Sequence, residues 1–294
     1  MPGTIFIWHS DDLGATENMS RRILDAWRAG LLDGFSIMAN GDAIERARSA
    51  LADERDRQAR IAAHVNLNEG KALLKPSDVP LLTDSEGYFT QNFAGMLKLW
   101  LGSSTANRKN LLDQVEREWR AQIHRVQEVI SPRKLTAIDS HTHIHMIPFL
   151  FGVASRLARD QGVPEIRITA EPFYLSPERG ENRSRRFFVN IVKHAVLQVC
   201  SSRAFSIAKR AGIGHPDAFI GVLYSGMMAE GNIEAGISWA ERRGVRRFEI
   251  LLHIGRATED ELQRWRGDRE EAEFALSPSR DIEYESLIKL RAER

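Results

Sequence analysis

Short apolar runs that stop abruptly at polar residues, alternating with amphipathic stretches, constrain this chain more than any other feature. Ile5 to Trp8 is a continuous apolar run and reads as a buried strand. Asp11-Asp12-Leu13-Gly14 breaks it. Met19, Ile23 and Trp27 follow at spacing four with Gly30 as a stop, which predicts a helix over about residues 17–29. Phe35 to Ala39 is a second strand, ended by Asn40-Gly41. Residues 42–52 read as helix and Arg60 to Val65 as a third strand. This alternation predicts parallel strands joined by helical crossovers, an α/β chain.

The pattern continues unevenly. Residues 71–106 contain Pro76, Pro80, Gly87 and Gly102 and read as an irregular excursion with one short helix at 93–101. Leu112, Val115, Trp119, Ile123, Val126 and Ile130 repeat at three and four and define the strongest helix, which Ser131-Pro132 ends. Leu135 to Ile138 is a short strand, 149–159 a helix, 165–168 a strand and 183–211 a long, partly basic helical region. Phe248 to Leu252 is the last clear strand, ended by His253, and 282–290 reads as a closing helix. No repeat, low-complexity tract or linker divides the sequence, so residues 1–294 are expected to form one domain. Parallel strands with helices outside leave an open doubly wound sheet or a barrel. In both, ligands bind at the carboxyl ends of the strands. The polar clusters fall at such ends: Asp11-Asp12, Asn40, His64, His141 and His253.

Bulk properties narrow the function classes. Net charge is +1, which gives no global electrostatic case for nucleic acid or an anionic membrane. The local basic stretch of Arg183, Arg185, Arg186 and Lys193 reads as a solvated helix face. The one cysteine, Cys200, excludes an intramolecular disulfide and a thiolate-rich metal site. The start lacks the charged region and longer apolar core of a signal peptide, and no stretch reaches the length of a membrane span, so a cytoplasmic protein is expected.

The densest chemistry lies in Asp139-Ser140-His141-Thr142-His143-Ile144-His145, which holds three of the nine histidines. If the run is extended, all three histidines point to one face. Spacing alone does not say which one binds. Asp11 and Asp12 are adjacent, so one is expected to face the pocket while the other points elsewhere; a helix-capping role is the alternative. One carboxylate with two imidazoles makes a hydrolytic metal site, because three protein ligands leave a position open for water. The metal would acidify that water and polarise a carbonyl. A second carboxylate takes the proton, and a further histidine serves the leaving group or the oxyanion. The set suits an amide or ester.

Ser10-Asp11-Asp12-Leu13-Gly14, Asn40-Gly41, His64-Val65-Asn66-Leu67-Asn68-Glu69-Gly70 and Asp139 to Pro148 resemble, in order and spacing, the YdjC-like carbohydrate deacetylases (the ChbG/HpnK type). The resemblance is strong from residue 5 to about 170 and weak beyond. It implies a deformed TIM-like (β/α) barrel that removes acetyl groups from N-acetylated sugars with one divalent metal ion, magnesium or zinc, with manganese also open. It makes Asp12, His64 and His141 the metal ligands and Asp11 the general base. His253 matches a late family histidine, usually followed by proline and glycine, and becomes the candidate acid, although the proline is missing in His253-Ile254-Gly255. His143 and His145, together with Asn40 and Asn66, are expected to support the site or bind substrate. Arg167 is expected either to hold Asp11 ionised or to form a surface ion pair. His9 and Leu13 depart from the family pattern and are expected beside the pocket, where they would alter substrate choice. Members are often dimers, which makes a homodimer an expectation. The competing functions are hydrolysis of another amide or an ester on the same scaffold, and sugar binding without turnover.

Overall fold

A computed structural model describes residues 3–54, 56–178, 180–262 and 269–293. In chain order the elements are β1 (Ile5–Leu13), α1 (Glu17–Arg28), β2 (Gly34–Ile37), α2 (Ile44–Ala52), β3 (Arg60–Val65), α3 (Phe93–Gly102), α4 (Thr105–Ile130), β4 (Ala137–Ser140), α5 (Pro148–Asp160), β5 (Glu165–Ile166), α6 (Arg185–Ala211), β6 (Ala218–Ile220), α7 (Glu230–Arg242), β7 (Arg247–Leu252), α8 (Glu259–Leu262), α9 (Arg269–Leu276) and α10 (Ser279–Ala292).

The seven strands form one sheet in the order β5-β4-β3-β2-β1-β7-β6. Every pairing is parallel. The two edges meet: Ile166 N–H donates to Gly214 O at 2.9 Å and Phe219 N–H to Ala170 O at 3.2 Å. The sheet thereby curls into a deformed TIM-like barrel. Its strands are buried on both faces, as β2 shows with all of Gly34–Ile37 inaccessible, which is why they read as continuous apolar runs rather than alternating ones. Trp8, Phe35, Phe219 and Phe248 from the strands pack with Trp27, Trp119 and Phe151 from the helices in one core.

Three differences from the sequence reading have local causes. First, β1 runs through Asp11 and Asp12 to Leu13 instead of stopping before them. The capping alternative for these acids fails, because Thr16 caps α1 through its Oγ1, which accepts from Met19 N–H at 3.3 Å. Second, the expected short helix is present as α3, but α4 begins at Thr105, earlier than its apolar repeat from Leu112 suggested. The irregular part of the excursion is pinned by polar side chains on the buried face of α4. Glu118 accepts from Leu73 and Leu74 N–H, Gln114 from Leu81 N–H and Gln122 from Asn66 N–H. Third, β6 and α7 were not foreseen. β6 is three residues long, and α7 buries only Ile233, Ile237 and Ala240 as apolar side chains larger than glycine. Among the described residues no helix is long and apolar enough to cross a membrane.

Candidate metal centre

The site begins with a defect in β1. Its register against β2 shifts between Ser10 and Leu13, and Asp12 adopts φ 75. A positive φ at a non-glycine residue is strained and needs surrounding contacts to hold it. The irregularity breaks the alternation that would send neighbouring side chains to opposite faces. Both aspartates turn inward and are buried, so the expectation that one would point elsewhere is corrected.

Asp12 Oδ1 lies 3.6 Å from His64 Nε2 and 3.4 Å from His141 Nδ1. The three residues offer one ligand atom each, all within 4.8 Å of one another. Asp12 Oδ1 is buried without a hydrogen-bond partner, a condition that a cation would relieve. The other oxygen, Oδ2, accepts from Arg280 Nη1 and Nη2 at 3.2 and 3.3 Å. Burial pushes the Asp12 carboxyl up, but His141 beside Oδ1 and the Arg280 charge hold it far below the usual carboxylate range.

Each imidazole is backed by a carboxylate. The β3–β4 register places His64 opposite Asp139, and His64 Nδ1 meets Asp139 Oδ1 at 2.8 Å. An ionised acceptor there fixes the proton on Nδ1 and leaves the Nε2 lone pair facing Asp12. His141 Nε2 lies 3.2 Å from Glu69 Oε2, which leaves Nδ1 toward the same point. Burial lowers the His141 pKa, yet Glu69 and Asp12 together raise it well above the ordinary value. The donor set of one carboxylate oxygen and two oriented imidazole nitrogens fits a divalent metal ion.

A second charged cluster lies alongside. Arg167 is fully buried; Nη1 and Nη2 donate to Asp11 Oδ2 and Oδ1 at 2.8 and 2.9 Å, and Nε donates to Glu249 Oε1 at 2.8 Å. Nη2 also lies 3.0 Å from Asp139 Oδ2. The surface-ion-pair alternative for Arg167 is therefore overturned. Burial pushes the Asp11 carboxyl up, but the Arg167 charge holds it well below its usual range. Two other groupings that resemble metal sites, His9-Asp139-Glu249 and Asp11-His64-Asp139, share these carboxylates and already have a cation in Arg167.

The histidine run is not extended. It coils into a 3₁₀ turn over His141–Met146, with Thr142 and His143 at φ 51 and 56. Asn68 Nδ2 donates to Thr142 Oγ1 at 2.6 Å and helps to hold that strained turn. The three rings consequently separate. His141 joins the metal centre. His145 turns away, with Nδ1 at 2.5 Å from Ser140 Oγ and Nε2 at 2.9 Å from Arg167 O, and burial lowers its pKa to about 4. His143 sets its ring edge-on to Phe219 at 5.8 Å, and burial followed by the Arg167 charge lowers its pKa.

His253 follows β7. Its N–H donates to Glu283 Oε2 at 2.6 Å and its ring packs edge-on to Phe274 at 5.1 Å. Burial, then the Arg280 charge, lowers its pKa to about 4. Asn40 and Asn66 form a brace: Nδ2 of each donates to Glu69 O, at 2.9 and 2.7 Å, fixing the loop that carries Glu69. His9 and Leu13 are inaccessible. His9 Nε2 hydrogen-bonds Ser36 Oγ at 2.7 Å and lies 3.7 Å from Asp11 Oδ1, and Leu13 lies in the core.

Sequence reasoning missed Asp139, Glu69 and Arg280 as site residues. Asp139 and Glu69 stand inside the motifs already singled out, and a histidine ligand's need for a carboxylate partner was the signal. Arg280 gave none. It arrives from the first turn of α10, with Nη1 also donating to Gly255 O at 2.7 Å and Nε to Phe274 O at 3.0 Å.

The profile of the YdjC-like protein family matches residues 6–293. A carbohydrate deacetylase of Danio rerio is 26% identical over 249 residues, 84% of this chain and 74% of that protein. A chitooligosaccharide deacetylase of Escherichia fergusonii is 29% identical over 185 residues, 63% of this chain and 67% of that protein. A crystal structure of a "putative cellobiose-phosphate cleavage protein" from Enterococcus faecalis V583 superposes with a TM-score of 0.63 at 21% identity, covering 99% of this chain and 95% of that one; it supports the fold.

Proposed function

The chain belongs to the YdjC-like protein family, and from that premise we propose that it is a metal-dependent hydrolase that removes the acetyl group from an N-acetylated sugar. The observation that carries this reading is the unpartnered Asp12 Oδ1 set between two imidazole nitrogens, each ring held by its own carboxylate. Two relatives named as sugar deacetylases give the substrate class.

A divalent ion held by Asp12, His64 and His141, with zinc, magnesium and manganese as candidates, would acidify a water and polarise the acetamide carbonyl. Asp11 is the proposed base. Arg167 occupies one direction at each of its oxygens, and a carboxylate oxygen has a second lone pair with which to take the proton of the attacking water. The same arginine keeps Asp11 ionised and weakly basic, so Asp11 can act only on a water that is already acidified. His253 is neutral in the resting site. It would therefore protonate the departing amine only after being charged with the proton that Asp11 takes from the attacking water. Acetate and an amino sugar are the products. His143 and His145 act as supports, the latter by fixing the backbone of Arg167.

Asp12→Ala and His141→Ala test the assignment. Both variants are expected to purify with the metal lost and to release no acetate from a panel of N-acetylated mono- and oligosaccharides that the unaltered protein deacetylates. Full metal content together with full acetate release in either variant would overturn it. Turnover of esters by the unaltered protein, with no acetate released from any sugar amide, would reassign the substrate.

A further inference from the structure

Branched apolar side chains fill the interior of most (β/α) barrels. Here His9, Ser36, Asp139, Arg167 and Glu249 meet inside it, all fully buried. Arg167, Asp139 and Glu249 form the cluster that holds Asp11 and backs His64. His9 and Ser36 contact no proposed metal ligand, yet the barrel makes room for them. His9 lies opposite Gly34 in the β1–β2 register, and a Cβ at Gly34 would run into Arg60 O and stand 3.0 Å from His9 Nδ1. Ser36 faces only Ala62 on β3. Replacing both partners of a buried hydrogen bond by apolar groups is often neutral or stabilising, so a polar pair kept at this depth calls for a use.

The hydrogen positions follow from one fixed charge. Asp139 Oδ2 lies 3.0 Å from Arg167 Nη2, and a carboxylate so paired is ionised and only accepts. Ser36 Oγ, 2.5 Å from the same oxygen, therefore gives its single hydrogen to Asp139. Only lone pairs remain for His9 Nε2 at 2.7 Å, so the imidazole carries its hydrogen there and donates it. The other nitrogen, Nδ1, presents a lone pair to Arg60 Nη1 at 3.4 Å. Burial, followed by the Arg167 and Arg60 charges, lowers the His9 pKa well below its ordinary value, so the ring is neutral. Asp11 Oδ1 is 3.7 Å from Nε2, too far to compete for that hydrogen. Three donors in series thus run from Arg60, at the start of β3, to Asp139. His64 Nδ1 meets the same carboxylate at 2.8 Å from the other side, about 13 Å farther along β3 than Arg60.

We propose that His9 and Ser36 are positioning residues for the metal centre, acting through Asp139 on the orientation of His64. The proposal rests on the reading that Asp12, His64 and His141 hold a metal ion. Arg167 and Ser36 between them fix Asp139 Oδ2, which aims Oδ1 at His64 Nδ1. The imidazole plane, and with it the direction of the Nε2 lone pair, depends on that aim. His9 works one step farther back. A hydroxyl that accepts one hydrogen bond donates the next more strongly, so His9 tightens the hold of Ser36 on Asp139 without touching the carboxylate. It does so as a neutral donor, and adds no charge to a cluster whose carboxylates Arg167 already binds.

Zinc affinity, measured by competition with a chelating dye beside the denaturation midpoint of the metal-free protein, tests the proposal. Ser36→Ala should weaken zinc binding by roughly tenfold and His9→Met by roughly three- to tenfold, at or below the low end of the ~10–100-fold typical when the partner of a metal-bound imidazole is lost. Ser36→Ala removes one oxygen and is the variant that disturbs folding least. His9→Gln, which offers a neutral N–H near the place of Nε2, should keep the affinity close to that of the unaltered protein. In an Asp139→Asn background neither Ser36→Ala nor His9→Met should weaken binding further, because both act through that carboxylate. A role confined to folding would lower the metal-free midpoint and leave zinc affinity unchanged. Unchanged affinity in both Ser36→Ala and His9→Met, effects that add fully to Asp139→Asn, or a His9→Gln variant as weak as His9→Met would each overturn the proposal while leaving the metal site standing. An unaltered protein that binds neither zinc nor manganese would remove the metal site and the proposal together.

Discussion

Two clusters of carboxylates and imidazoles lie side by side at the strand ends, and they differ in how a buried arginine engages them. The cluster of Asp11, Asp139 and Glu249 contains its own cation: Arg167 reaches all three at 2.8–3.0 Å. The cluster of Asp12, His64 and His141 leaves Asp12 Oδ1 without a partner. Buried charge costs several kcal/mol per ion unless it is compensated. In the first cluster one guanidinium binds three carboxylates; in the second Arg280 takes only Asp12 Oδ2 and leaves Oδ1 open to a ligand. Asp139 links them, accepting from His64 on one side and pairing with Arg167 on the other, so the Arg167 cluster sets the orientation of His64, a proposed metal ligand.

Removing the internal cation is the most severe way to break the comparison. Arg167→Met strands three buried carboxylates and is expected to destabilise the fold by about 3–5 kcal/mol, read as a lowered denaturation midpoint. Arg167→Lys should recover part of the loss by restoring charge without the two-pronged contact.

The pH dependence of stability sharpens the same contrast. Glu171 and Glu283 are buried carboxylates without a salt-bridge partner at 4 Å or less among the described residues. Glu171 accepts backbone N–H groups from Gly221, Val222 and Leu223, and Glu283 accepts from His253 N–H. Burial raises each from 4.5 to about 7. The native state then binds protons more tightly than the unfolded chain between those values. Their contribution to stability is full below pH 4.5 and is lost as pH rises through about 7. Each is worth on the order of 3 kcal/mol at most. Glu171→Gln and Glu283→Gln should flatten the stability profile in that window. Asp11 and Asp139 act in the opposite sense: their lowered pKa values give stability that is present above the unfolded value and lost as pH falls toward the folded one. An unchanged profile in both glutamine variants would refute the contrast between amide-held and cation-held carboxylates.

Chelation addresses the other cluster. If it holds a metal ion, removing one supplied at a hundredfold over its Kd should cost about 2.7 kcal/mol of stability, visible as a lower Tm that zinc or manganese restores. An identical Tm with and without chelator would argue against a metal there. The smallest expected effect is at the link. Asp139→Asn should weaken metal binding by about 10–100-fold, measured by competition with a chelating dye.

Much of the site was legible. Asp11, Asp12, His64 and His141 carry the right chemistry at the ends of apolar runs, and strand ends in a parallel sheet converge. Arg167 stood in the right place, but its burial did not show in the sequence. Asp139 was visible as a residue and invisible as a partner, because a parallel register is set by packing between strands rather than by either strand's own pattern.

The sequence by itself determined the parallel α/β class and singled out Asp12, His64 and His141 as the candidate metal ligands, because hydrophobic periodicity and short motifs are local. Only the tertiary structure decided the bulge that turns both aspartates inward, the coil that separates the three histidines and the division into a cluster bound by Arg167 and one that leaves Asp12 Oδ1 open. It also decided that Arg280, 268 residues beyond Asp12, occupies one oxygen of that carboxylate and leaves the other for a ligand. Buried charges must be balanced by whatever the fold brings within reach, and distance along the chain does not record that.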